Sequence, residues 1–581
     1  MSKQFDFIGS IYSRNPNNGE NEIFGYLYSL NDFSVLEYSE LPNKIKKELK
    51  KNLKDLEKKY KFVVECIISY DKENKKYIIE FSKEAKLEAS VFPQVLNELY
   101  KSGIIEKDEL FQKIPLDFIH EWLASTVKKK KTTISIAEGN PVTYGGVVGE
   151  LVSKRKDLED NFLQNKSSIW VLSEVFQEDL AYFHKTDGLV LTQSGPTSHA
   201  AVIAKGLGIP CILGCSNILD SEYIGRTVTL DANRGRIYKG KQEIVSAKTS
   251  KYFDELLLIA TKSLEFEILA NADTLDDSKQ AQGFHINGIG LCRTEHMFIG
   301  KEGRKIIRKI LFDNNSDQEL TRRFIKKHTN DFYKLFKSQS GNKVVVRYLD
   351  APLHEFTEKN CVVEGKFCET NPMLGYRGAR FLVLNPDLIS IQTQAIFKAL
   401  EKLEKQGKKI EIILEIPLIV DPEEIFLFKS IIKEEINKNE NWQNIKYKIG
   451  SMIETPRAGL LIKDIAPLVD FISFGTNDLT QTLFGISRDD SETFMSNYIS
   501  QGIFKNDPFA TLDIKGLGVF IKDIVDKAKK VNEEIHISIC GEQAADPLSL
   551  KFLIESGIDS ISSSPARLPY AILASAKYSC K

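Results

Sequence analysis

The sequence predicts an α/β chain with a C-terminal (β/α)8 barrel, a compact domain of short strands before it, and a reduced α+β unit at the N-terminus. Three observations predict this. Apolar runs recur after residue 265, in FEILANAD, GIGLCRTEH, KVVVRYLD, IEIILEIPL, YKIGSMIE, DFISFGTND and HISICGE, with helical segments between them. Nearly every run ends in a residue able to do chemistry, as in a barrel whose active site lies at the C-terminal strand ends. Upstream, from Gly139, the text turns to short strands and glycines: GNPVTYGGVVGELV, SSIWVLSEV, DGLVLTQ, IPCILG and RTVTLDANRGRIYKG.

Residues 1–85 combine a turn-rich loop and strand, YSRNPNNGENEIFGYLYS, with a charged helix from Leu41 to Tyr60. Two strand-like runs follow, KFVVECIIS and KKYIIEFS, joined by the polar turn DKEN. Residues 86–135 read as a helical linker, and the run Lys128 to Lys131 as a solvated part of it. The compact domain occupies 136–240, a connector helix 241–264, and the barrel 265–581. Seven barrel strands are legible; the eighth is expected near NPMLGYRGAR, around Arg377.

A length of 581 residues suits three or four domains. A formal net charge of -1 calls for neither a nucleic acid nor a membrane surface as partner. MSKQFDFIGS lacks the apolar core of a leader, no apolar stretch is long enough to span a bilayer, and the eight cysteines form no CxxC pair. A reducing, cytoplasmic setting is the expectation.

One histidine stands out. In TDGLVLTQSGPTSHAAVIAKGLGIPCILG an apolar run (Leu189 to Leu191) meets a breaker-rich turn, and a small-residue helix begins where His199 sits. Free N–H groups at a helix N-terminus stabilise anions, so an imidazole there is placed to carry a phosphoryl group. Taken alone, a histidine beside an apolar helix is more often a capped or core residue, and that reading is favoured until the rest of the chain is considered.

The stretch TSHAAVIAKGLGIPCILG resembles the phosphohistidine loop of the phosphoenolpyruvate-utilising enzymes, which include pyruvate phosphate dikinases, phosphoenolpyruvate synthases and enzyme I of the sugar phosphotransferase system. GLCRTEHMF, LHEF, NPMLGYRGAR, SFGTNDLTQTLFGISRDD, DPFATLD and CGE follow in the dikinase order, and LHEF and CRTEHMF resemble the dikinases more closely than enzyme I. The resemblance implies a swivelling phosphohistidine domain over 136–240, a phosphoenolpyruvate- and pyruvate-binding TIM barrel over 265–581, and an ATP-grasp remnant over 1–85. It also implies interconversion of phosphoenolpyruvate and pyruvate through a phosphohistidine at His199, and a homodimer.

Phosphoenolpyruvate presents a carboxylate, a phosphate and an enol oxygen. Arg293 and Arg347 offer planar, permanently charged forks for phosphate oxygens, with Arg377 and Arg488 as further candidates. Glu454 and Asp478 are hard oxygen ligands suited to Mg2+, which stabilises a developing enolate. Gly475, Thr476 and Asn477 are placed to bind substrate through backbone and side-chain donors. In the resembling enzymes the cysteine matching Cys540 exchanges a proton with the substrate methylene, a general acid/base role; the plainer reading is a buried structural thiol.

The departures from the family pattern are specific. Where ATP-grasp strands carry a phosphate-binding Gln and Arg, this chain has Glu80 and Ser82; Glu65 is kept, but Val63 replaces a second metal-binding acid. Productive ATP binding by this chain alone is therefore not expected, and a separate ATP-binding subunit or a phosphocarrier protein becomes the expected partner. Gly195 and Pro196 stand where Gly and Met are usual, leaving Thr197, a regulatory phosphorylation position in dikinases, and Ser198 in place. The usual CGEHGG continues as Cys540-Gly541-Glu542-Gln543-Ala544-Ala545. These losses also admit a non-catalytic paralogue that binds phosphoenolpyruvate or pyruvate as a regulator or assembly subunit.

Overall fold

The computed structural model describes residues 5–32, 34–128, 134–164, 166–173, 179, 182–183, 185–192, 204, 209–215, 218–219, 221–245, 250–295, 298, 301–312, 318–350 and 374–580. His199, Thr197, the LHEF stretch and most of the lysine run fall outside them. The chain divides into two compact units, residues 1–256 and 257–581. Among the described residues no helix is long and apolar enough to cross a membrane.

The first unit opens with a five-stranded antiparallel sheet in the order β3-β2-β1-β4-β5, formed by β1 (Phe7–Tyr12), β2 (Phe24–Ser29), β3 (Val35–Glu37), β4 (Val64–Asp71) and β5 (Lys76–Glu84). The helix Asn43–Tyr60 places Ile45, Leu49 and Leu53 at four-residue spacing, so one stripe packs on the sheet against Ile11, Leu27 and Ile68. Lys61, in the left-handed region at φ 53°, ends the helix and turns the chain into β4. Along β1 and β4, Ser10 and Tyr12 donate to Glu65, which also pairs with Lys83. Val63 is fully buried just before β4, and Glu80 and Ser82 lie on β5.

Short helices follow, Phe92–Lys101, Lys107–Gln112 and Ile119–Leu123. They end in β6 (Thr126–Lys128), whose partner is β15 (Glu243–Val245). The stretch expected to be a connector helix thus begins as a strand, and its helix starts at Lys251. A three-residue strand is too short to show a period, and only its cross-strand partner defines it.

Between them lies a sheet in the order β7-β14-β13-β9-β10-β11-β12-β8, made of β7 (Ser135–Glu138), β8 (Asn140–Pro141), β9 (Gly146–Val152), β10 (Ser168–Leu172), β11 (Gly188–Leu191), β12 (Cys211–Leu213), β13 (Thr227–Asp231) and β14 (Arg236–Lys239). β9 to β12 pair in parallel. Val190 packs into one core with Ile169 and Ile212, while Leu189 and Leu191 pack into another with Trp170 and Cys211. Cover on both faces explains why β11 reads as an unbroken apolar run. In the chain His199 follows β11, outside the described residues.

The second unit is a closed barrel of eight parallel strands: β16 (Glu267–Asn271), β17 (Gly288–Arg293), β18 (Lys343–Arg347), β19 (Glu411–Ile416), β20 (Lys448–Ile453), β21 (Phe471–Gly475), β22 (His536–Cys540) and β23 (Ser560–Ser563). The expectation of a strand near NPMLGYRGAR is corrected. Arg377 belongs to the connection between β18 and β19, and the eighth strand is β23, which pairs with β22 and β16. Its sequence, SISS, has one apolar residue, so periodicity hides it; two neighbours and full burial make it a strand. Cys540 consequently ends the seventh strand, not the last.

Inside the barrel, Val345, Ile413 and Phe471 fill one layer, and Leu291, Met452 and Cys540 a layer nearer the C-terminal ends. Lys343, at the opposite end, pairs with Glu267 at 2.7 Å and stands 3.4 Å from His536. Residues there close the barrel floor, and the strand ends at the other mouth carry the groups that follow.

Candidate active site

A cavity of about 160 Å³ opens at the C-terminal mouth of the barrel. Arg293, Arg347, Arg377, Glu454, Gly475, Thr476, Asn477, Asp478 and Cys540 all line it. Arg488 does not; its side chain is exposed on the helix Arg488–Ser500, and its backbone N–H donates to Gln481. His199 lies outside the described residues.

The arginines are held by carboxylates that run as a chain around the mouth. Arg347, at the end of β18, donates to Glu295 at 2.8 Å and pairs with Asp350 at 3.3 Å. Arg377 forks onto Asp350, at 3.0 and 2.6 Å, and reaches Asp478 at 3.3 Å. Burial acts to lower the pKa of Arg347 and is outweighed by Glu295, Asp350 and Glu454; for Arg377 it is outweighed by Asp350, then Asp478 and Glu454. Both guanidiniums stay charged. Such buried networks add little net stability but hold each fork in one orientation. Arg293 is the more open group, its side chain 41% exposed and 3.7 Å from Asp273.

Glu454 follows β20 and is buried, accepting from the Leu418 N–H at 2.8 Å. Burial pushes its carboxyl well up, and the nearby Asp350 and Asp478 push it further. That crowding is the excess negative charge a divalent cation relieves. Among the described residues no group of three or more His, Cys, Asp or Glu is placed to hold a metal. Two carboxylates, with the remaining oxygens from substrate and water, match how magnesium is ordinarily held.

Thr476, Asn477 and Asp478 form the first turn of the helix Thr476–Phe484, whose free N–H groups favour an anion. Two glycines permit this turn to sit against its neighbours. A Cβ on Gly475 would lie 2.7 Å from Glu454 Oε2, and one on Gly541, at φ 119°, would lie 2.2 Å from Thr476 Oγ1.

Cys540 closes β22, is 3% exposed, and donates weakly to the Phe474 carbonyl at 3.6 Å. Burial, aided by Glu415, pushes its thiol up to about 12. The group is therefore a protonated acid near neutral pH and a poor thiolate nucleophile.

Sequence reasoning did not single out Glu295, Asp350 or Glu415. Glu295 and Asp350 stood in view as acids in the strand-end stretches GLCRTEH and KVVVRYLD. Glu415 had a quieter signal, a lone acid inside the apolar run IEIILEIPL.

Closed barrel, parallel β9 to β12 and a strand-end cavity lined by three arginines together define a two-part α/β protein. Residues 247–579 match the PEP-utilising enzyme, PEP-binding domain family, and residues 164–235, which include His199, match the PEP-utilising enzyme, mobile domain family. The chain belongs to the PEP-utilising enzymes. Pyruvate, phosphate dikinase 2 of Zea mays is 32% identical over 98% of this chain and 70% of its own length. Pyruvate, phosphate dikinase of Rickettsia prowazekii (strain Madrid E) is 32% identical over 99% of this chain and 71% of its own. For pyruvate, phosphate dikinase 1, chloroplastic, of Oryza sativa subsp. japonica the figures are 31%, 98% and 65%. The chain thus spans about two thirds of the length of these relatives.

Proposed function

We propose that this chain catalyses reversible phosphoryl transfer between phosphoenolpyruvate and His199. The bond from phosphorus to the enol oxygen breaks, a phosphorus–nitrogen bond forms on the imidazole, and the enolate left behind takes the Cys540 proton on its methylene carbon to become pyruvate. The observation that carries this reading is a buried, protonated thiol facing the same cavity as Arg293, Arg347 and the Thr476 helix turn. Arg293 and Arg347 bind the phosphate oxygens, the backbone N–H groups of Thr476 and Asn477 orient the substrate, and the enclosing strand ends exclude water. Glu454 and Asp478 would hold Mg2+, which supplies positive charge for the enolate oxygen. The thiolate formed on Cys540 regains its proton from solvent before the next cycle.

The mobile-domain match supports His199 as the carrier. At the N-terminal sheet, Glu80 and Ser82 occupy the positions of the family's phosphate-binding Gln and Arg, and Glu65 is tied to Ser10, Tyr12 and Lys83. These residues support a second half-reaction supplied from elsewhere, by a separate ATP-binding polypeptide or a phosphocarrier protein. A cytoplasmic homodimer completes the proposal by family likeness.

The test is incubation with Mg2+ and phosphoenolpyruvate labelled in its phosphate. Acid-labile label on the wild type with pyruvate released, and no label on His199→Ala, is the expected result. Phosphoenolpyruvate binding with no label on the wild type refutes the transfer and leaves a non-catalytic, ligand-binding regulator.

A further inference from the structure

The loop after Cys540 departs from the family's CGEHGG at three places, and one replacement, Gln543, is fully buried among polar groups of the site. Its Oε1 accepts from Thr476 Oγ1 at 2.6 Å. Its Nε2 donates to the Pro508 carbonyl at 2.9 Å and to Thr480 Oγ1 at 3.3 Å. The carbonyl of Pro508 can only accept, so the amide cannot be turned over, and the hydroxyl of Thr476 must be the donor to Oε1. One side chain therefore ties three segments together: the helix whose first turn is Thr476 to Asp478, the loop through Pro508, and the end of β22 that carries Cys540.

Thr476 also stands 3.2 Å from the Cys540 carbonyl, so its single proton has two acceptors, and the shorter bond is to Gln543. The close approach of Gly541 to Thr476 leaves no slack between the two strand ends. A shift of the amide would move both sides of the cavity at once.

We propose that Gln543 is a positioning residue for the phosphoenolpyruvate site, holding the Thr476 to Asp478 turn in register with Cys540 through an uncharged amide, so that the site stays assembled across near-neutral pH. This rests on the reading of the cavity given above. An amide is suited to the task because it accepts and donates in one plane and does not titrate. The elements packed against its turn, with the loop through Pro508, carry these ionisable groups: Asp478 on the helix, Cys540 at the near end of β22, Asp507 beside Pro508, Asp546 capping the next helix with Lys551 and Glu555 along it, and Tyr570, Lys577 and Tyr578 on the last. Among the described hydrogen bonds Gln543 takes its side-chain partners from Thr476, Thr480 and Pro508, so no charge change on those groups is relayed directly through it.

The test is Gln543→His, which restores the family's residue, beside Gln543→Leu and Thr480→Val, in the full chain with Mg2+. A neutral imidazole can accept from Thr476 and donate to Pro508; an imidazolium cannot accept. For Gln543→His the KM for phosphoenolpyruvate is expected to be near wild type at pH 8 and to rise about fourfold at pH 6, where about a quarter of the rings stay neutral if the ring titrates around its ordinary value of about 6.5. Over the same range the wild-type KM changes less than about twofold, Gln543→Leu is about tenfold weaker at both pH values, and Thr480→Val stays close to wild type. A pH-flat KM in Gln543→His, or a wild-type KM in Gln543→Leu, overturns the proposal. So does a fall in melting temperature that tracks the KM change, which would make the residue merely structural. Direct binding of phosphoenolpyruvate separates the two readings: a wild type that does not bind defeats the site itself, and a wild type that binds beside insensitive Gln543 variants defeats only this role.

Discussion

Glu415 offers the sharpest test of the barrel interior. It sits on β19, fully buried, with one carboxyl oxygen accepting from Ser473 at 2.5 Å and the other without a hydrogen-bond partner among the described residues. Burial raises its carboxyl from 4.5 to about 7, against the opposite pull of Ser473 and Arg347. The sign follows from proton uptake. Between pH 4.5 and 7 the folded chain keeps a proton that the unfolded chain has lost, so stability is full below that window and falls as pH rises through it. Each tenfold change in proton affinity is worth about 1.4 kcal/mol, so above pH 7 the buried carboxylate costs roughly 3 kcal/mol. Glu415→Gln keeps the shape and the acceptor for Ser473 while removing the charge. The assay is urea unfolding in a Trp122→Phe, Trp170→Phe background, where Trp442 is the remaining tryptophan and reports the barrel. At pH 8.5 the Gln variant is expected to be more stable than its parent by roughly 2–3 kcal/mol, and at pH 5 to lie within about 1 kcal/mol of it. An equal difference at both pH values refutes a carboxyl that titrates inside the barrel.

Two further outcomes follow from the mouth of the barrel. With its thiol pushed up to about 12, Cys540 should react with iodoacetamide at pH 8 roughly a thousandfold more slowly than an ordinary thiol, and about tenfold faster for each pH unit added; a rate that levels off below pH 9 in peptide mass spectra contradicts the buried, protonated thiol. Arg377→Met removes the cation shared by Asp350 and Asp478 and should destabilise the barrel by roughly 3 kcal/mol at pH 8 in the urea assay, since Asp350 is left with Arg347 as its one cation and Asp478 loses its cation. A loss below about 1 kcal/mol would mean that solvent already screens those charges.

Much of this architecture is written locally. Parallel barrel strands are covered on both faces, so seven of the eight read as predominantly apolar runs, and the polar residue ending most of them marks the mouth where ligands bind. The type and position of Arg347, Glu454, Asp478 and Cys540 are enough to place them at one end of one fold. β23 escaped because a strand of serines carries no period; its identity comes from the two neighbours that need a partner to close the barrel. The chain of charges from Glu295 through Arg347, Asp350 and Arg377 to Asp478 escaped for the same reason, since it joins residues from three separate strand ends and the connection between β18 and β19.

Gln543 shows the division most clearly. By itself the sequence determined a departure from CGEHGG and nothing about its consequence. Only the tertiary structure decided that the new side chain points at Thr476 and Pro508, because hydrogen-bond partners brought from other segments are chosen by packing and not by spacing along the chain.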